Sequence, residues 1–178
     1  MSRKALLGAL LAALIVFVWS FVSHMMLPWW ESNQQGFSNE EMVASTLMAG
    51  AAEDGIYILP RFDPNDEAGQ ARMAEGPVAF VAFTRGGMDP MAAKPMVLQF
   101  VFNLLIALFM ARLIACVGGP SFTVRLRMVV VIAVIAGLMV HMPYWAWYGF
   151  AGGFTVVSML DLVIGWFLGG LVLARMTK

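Results

Sequence analysis

Asp161 is the one acidic residue inside a long apolar run of this 178-residue chain. A charged carboxylate at the centre of a membrane helix carries a penalty of at least about 2.5 kcal/mol, so it needs protein, water or a partner around it. Its segment, Phe150 to Ala174, presents Thr155, Ser158, Asp161, Gly165 and Gly169 at steps of three and four, near one helical face. The first half of that face is polar and the second is glycine-lined, and Gly165-x-x-x-Gly169 allows close helix approach within one chain or between two. Other polar groups in apolar runs include Ser20 and His24, one turn apart, Gln99 and Asn103, also one turn apart, and His141. Two readings of Asp161 are open. It glues helices through a hydrogen bond to His141 or Asn103, or it faces an outward-open cavity and contacts a ligand or a partner helix.

His24 and His141 are the only histidines. With Asp161 they form a candidate metal or haem set, and Met25, Met26, Met139 and Met142 beside them suggest copper. Helical geometry argues against copper, because neighbours at i±1 point ~100° away from the histidine. No metal or cofactor is therefore predicted, and a haem or copper centre in a membrane enzyme or redox subunit stands as the alternative. The chain carries no Ser/His/Asp nucleophile pattern, paired catalytic carboxylates, phosphate-binding glycine loop or basic nucleic-acid patch. Its single cysteine, Cys116, excludes an intramolecular disulfide framework.

These residues sit on elements that composition defines well. At 61% hydrophobic residues and a mean hydropathy of +0.79, the chain is an integral membrane protein. Arg3 and Lys4 precede a run from Ala5 to Leu27 that is too long for a signal-peptide core and lacks a small-residue cleavage site, which reads as an uncleaved signal anchor. Trp29 and Trp30 then mark an interface. Residues 31–95 hold ten of the eleven acidic residues, four basic ones and five of the eight prolines. Ser38 and Glu41 have capping-box spacing and predict a helix to Gly50. Gly55–Leu59 and Val78–Phe83 predict strands, and Pro64–Glu75 a further short helix. A two-stranded sheet is marginal alone, so this α/β insert is expected to dock on the membrane helices as a lid.

Further spans are predicted at Met96–Ala115, Met128–Met142 and Phe150–Ala174, with a Gly118–Pro120 connection and an aromatic interface run from Tyr144 to Tyr148. The fold class is thus an all-α membrane protein of four transmembrane helices, organised as 1–30, an insert at 31–95, and 96–178. Arg3, Lys4, Arg112, Arg125, Arg127, Arg175 and Lys178 fall at one end and the acidic insert at the other, which predicts both termini cytoplasmic and residues 31–95 outside. Counting ~1.5 Å per residue, Asp161 lies roughly 13 Å and Asn103 roughly 10 Å below the outer boundary. All the polar groups fall in the outer half, and the dry inner half argues against a pore through one chain.

The fragments WSFVSH (Trp19–His24), YWAWYGF (Tyr144–Phe150) and DLVIGW (Asp161–Trp166) resemble a group of small bacterial membrane proteins with a signal anchor, an extracytoplasmic insert and three further spans. The resemblance implies this topology in a bacterial inner membrane and transfers no activity. The functional expectation is a non-enzymatic membrane protein. Ser20, His24, Gln99, Asn103, His141, Ser158 and Asp161, under the insert, would bind a lipid-like ligand or a partner membrane subunit. Gly165 and Gly169 would pack helices. Expected partners are membrane lipids and a second membrane protein or further copies of the chain, with no nucleic acid.

Overall fold

The computed structural model describes residues 1–61, 63, 65–117 and 121–177. The chain runs α1 (Arg3–Met25), a 3-10 turn (Glu31–Asn33), α2 (Glu40–Gly50), β1 (Gly55–Leu59), α3 (Glu67–Glu75), β2 (Ala79–Phe83), α4 (Ala93–Val117), α5 (Phe122–Tyr148) and α6 (Gly152–Met176). Helices α1, α4, α5 and α6 are each long and apolar enough to cross a membrane. The protein is a multi-pass membrane protein of four helices, with a small α/β insert between the first and second spans.

Caps set the helix starts. Ser2 accepts from the Ala5 N–H at 3.2 Å and opens α1. Asn39, not the expected Ser38, opens α2, because its side-chain oxygen meets the Met42 N–H at 2.9 Å. Asp66 caps α3, so that helix starts later than the expected Pro64, which lies outside the described residues together with the Gly118–Pro120 connection and Lys178. Pro95 falls in the first turn of α4, where its missing N–H has no helical partner to lose. Helix α5 begins at a Ser121 cap and passes through Pro143 to Gly149, whose φ of +68° suits a residue without Cβ. The Tyr144–Tyr148 run is therefore the last turn of a longer third span than the sequence predicts.

The insert is closed locally. Strands β1 and β2 pair antiparallel, with Tyr57 opposite Val81 and Ile58 opposite Phe80. After β2, the Arg85 N–H donates to Asp54 at 2.7 Å, and its guanidinium donates to the Met48 and Ala51 carbonyls at 3.2 and 2.7 Å. One arginine thus ties the hairpin to the end of α2.

Helix α1 is apolar all round, so hydrophobicity cannot choose its buried face. Residue size does. Ala5, Ala9, Ala12 and Ala13 are buried, whereas Leu6, Leu7, Leu10 and Leu14 are exposed on the lipid-facing side. Without a hydrophobic drive between helices in lipid, close backbone approach is what the small residues supply. Helices α1 and α6 form the centre, with α4 against α1 and α5 against α6, while α4 and α5 scarcely touch. A Cβ on Gly169 would stand 2.9 Å from Val16 Cγ2 and 3.3 Å from the Ala12 carbonyl. One on Gly170 would stand 3.0 Å from Val129 of α5, and one on Gly8 only 2.8 Å from Met176.

The buried core occupies the half of the bundle away from the insert. It joins Ala9, Ala12, Ala13 and Val16 to Ala107, Met110, Ala111 and Ile114, with Val129, Ala133, Trp166 and Leu173. Arg125, expected among the basic residues of the solvated end, is instead buried, and its Nε donates to the Ala174 carbonyl at 2.7 Å. It caps a carbonyl that the last turn of α6 leaves open.

Candidate functional site

The insert half of the bundle is not packed shut. Between the four helices lies a cavity of about 810 Å³, lined by α1 from Val16 to His24, α4 from Pro95 to Asn103, Val140 to Tyr144 of α5 and the first half of α6. Phe80 of β2 closes it from above, its ring 5.8 Å from Tyr144, 5.0 Å from Tyr148 and 5.8 Å from Phe150. The hairpin is held to the helices by this aromatic cluster. A cavity of this size, mostly apolar and with a few convergent polar groups, has the form of a small-molecule site.

All seven polar residues singled out from the sequence line this cavity, and Gly165 lines it with them. Their partners differ from the expected ones. Asp161 bonds neither His141 nor Asn103. Trp19 of α1 donates its indole N–H to Asp161 Oδ1 at 2.8 Å, and the same N–H lies 3.1 Å from the Asp161 carbonyl. Gly165, one turn further along α6, makes room for that indole, since a Cβ there would stand 2.9 Å from Trp19 Cδ1. Trp19, Asp161 and Gly165 are thus one unit joining α1 to α6.

Trp19 escaped the sequence reading, although a signal was present. It lies six residues inside the end of α1, where an indole N–H is below the interface and needs an acceptor.

The remaining polar groups divide by what their hydrogens do. Ser20 donates to Val16 O at 3.0 Å and Ser158 to Phe154 O at 2.8 Å, so both hydroxyls use their protons on their own helices. Their oxygens keep lone pairs for the cavity. Gln99 donates to Asn103 Oδ1 at 3.0 Å. Asn103 is 3% exposed, and its Nδ2 is a buried donor without a hydrogen-bond partner. Asp161 Oδ2 and the His141 ring also have no hydrogen-bond partner among the described residues. His24 sits on the rim, its Nδ1 3.0 Å from the Ser20 carbonyl and its ring stacked on Trp30 at 4.4 Å. Trp29 and Trp30 fold back onto Ser23, whose hydroxyl accepts from them at 3.2 and 3.0 Å.

The candidate metal set does not assemble. Among the described residues no three His, Cys, Asp or Glu side chains come together as a metal site. His24 is held against its own helix and Trp30, and Asp161 is held by Trp19. The described lining contains one carboxyl group, Asp161, and neither lysine nor arginine.

Comparison of the chain with family models, with curated proteins and with solved structures found no match. The resemblance drawn from the sequence thus stands on its architecture, four long apolar helices with a small α/β insert. The three fragments that carry it nevertheless meet in space, because Trp19, His24, Tyr144, Phe150, Asp161 and Trp166 all line the same cavity.

Proposed function

We propose that this protein binds a lipid-like small molecule in the cavity beneath the insert, without chemical conversion of it. The observation that carries the reading is a cavity of about 810 Å³ whose mostly apolar wall brings a few polar groups together, with Asp161 Oδ2 and the His141 ring left without a hydrogen-bond partner among the described residues. A ligand with an apolar body and a polar end would meet both parts of that wall. Helices α4 and α5 scarcely touch while both line the cavity, so an acyl or isoprenoid tail can leave between them into lipid. A concave site roofed by Phe80 suits a small ligand better than a partner helix, which needs an open face. The uneven charge along the chain supports an extracytoplasmic insert and cytoplasmic termini, and the resemblance of the three fragments supports a bacterial inner membrane.

The test fills the cavity. Val140→Trp places a bulky ring on its lining, and Leu6→Trp places one on the exposed side of α1. Mass spectrometry of protein purified in mild detergent should find a bound small molecule in the parent and in Leu6→Trp, and should find it lost in Val140→Trp. Equal retention by all three would overturn the reading.

A further inference from the structure

Resting on that reading, we infer that the ligand's polar end is a cation, an amine or ammonium group on an apolar body, anchored at Asp161 Oδ2. Charge complementarity carries the inference. The only formal charge of fixed sign in the described lining is the Asp161 carboxylate, with no lysine or arginine to receive a phosphate or carboxylate headgroup.

Hydrogen-bond capacity points the same way. Oδ1 is taken by Trp19, which leaves Oδ2 to accept. Ser20 and Ser158 also line the cavity, and their oxygens keep acceptor capacity because their hydrogens are committed to Val16 and Phe154. Asp161, Ser20 and Ser158 thus offer acceptors and no free hydrogen, and an ammonium brings up to three donors and no acceptor. His141 can add a ring nitrogen from α5. Trp30, Phe80, Tyr144, Phe150 and Phe154 also line the cavity, and aromatic rings attract a desolvated cation.

One ligand chemistry of this kind has two sources, an amine-bearing lipid headgroup and a free amphiphilic amine. The first arm of the test uses decylammonium, decanol and decanoate, three probes with one tail. Each is titrated calorimetrically at neutral pH into the full-length protein in dodecyl maltoside, whose micelles carry no charge and no amine. Empty micelles serve as the blank. Decylammonium should bind about tenfold or more tighter than decanol, as a charge-assisted hydrogen bond implies, and decanoate weakest. Asp161→Asn should remove the advantage of decylammonium over decanol, while its thermal melting in the same detergent stays close to the parent's. Should that variant misfold, the ranking of the three probes on the parent still decides.

The second arm reconstitutes the parent with a mixture of phosphatidylethanolamine and phosphatidylglycerol, then re-extracts it and weighs the retained lipid by mass spectrometry. Enrichment of phosphatidylethanolamine makes the source a lipid headgroup. Decylammonium selectivity without enrichment makes it a free amine, and either result supports the inference. Equal binding of all three probes, or preference for decanoate, would overturn the cationic ligand while leaving an apolar site. No binding of any probe above the micelle blank would overturn the cavity reading as well.

Discussion

At the scale of single residues the decisive contact is the indole of Trp19 on Asp161. Trp19→Phe keeps an aromatic ring but removes the N–H, leaving the carboxyl group without its described partner. We expect a loss of about 1–3 kcal/mol, the usual penalty for an orphaned polar group. Asp161→Asn keeps an oxygen for the same N–H and should lie within about 1 kcal/mol of the parent, since hydrogen bonds between membrane helices average ~0.6 kcal/mol. Thermal melting in detergent should therefore rank the parent and Asp161→Asn together, above Trp19→Phe. If Trp19→Phe melts with the parent, the contact is incidental. Glycine substitutions probe the same interface. Gly165→Leu and Gly169→Leu should lower the melting point, because Trp19 and Val16 occupy the space a side chain needs, whereas the half-buried Val172→Leu should be tolerated. Three equal melting points would contradict the placement of α1 against α6.

At the scale of elements, the insert acts through β2. Phe80 brings the hairpin to Tyr144, Tyr148 and Phe150, so Phe80→Ala should loosen the lid without unfolding the spans. Hydrogen exchange in β1 and β2 should rise and bound ligand should leave faster, with the melting of the helices little changed. Unaltered exchange would mean that other contacts hold the hairpin. Much of this architecture is legible in the chain itself. The spans follow from uninterrupted apolar runs, β1 from Gly55 to Leu59 matches its expected ends, and the polar positions separate by depth along their helices. Other features depend on three-dimensional contact. Which face of α1 turns inward is a matter of alanine against leucine, invisible to hydropathy. The Trp19–Asp161 pair joins residues 142 positions apart, and periodicity within one helix cannot find it. Gly170 and Arg125 likewise take their meaning from α5 and α6 lying side by side.

Across the whole molecule, two halves do different work. The half away from the insert is close-packed through small residues and fixes the helices, and the insert half stays open around the polar groups. That division gives the proposed orientation a role, because with the acidic insert outside the open half would face outward. Alkaline phosphatase fused after Gly50 or Gly87 should be active and after Ser121 inactive, and the reverse pattern would turn the cavity toward the cytoplasm. Photolabelling tests most directly whether the cavity is a ligand site. An alkyl amine bearing a diazirine in its chain, activated on the reconstituted protein and mapped by peptide mass spectrometry, should label Phe17, Val140 and Leu162, which line the cavity. An excess of unlabelled decylammonium should abolish those adducts, while adducts on the lipid-facing Leu10, Phe109 and Ile135 should persist. Adducts spread evenly over both sets, and equally insensitive to competitor, would contradict a binding site beneath the insert.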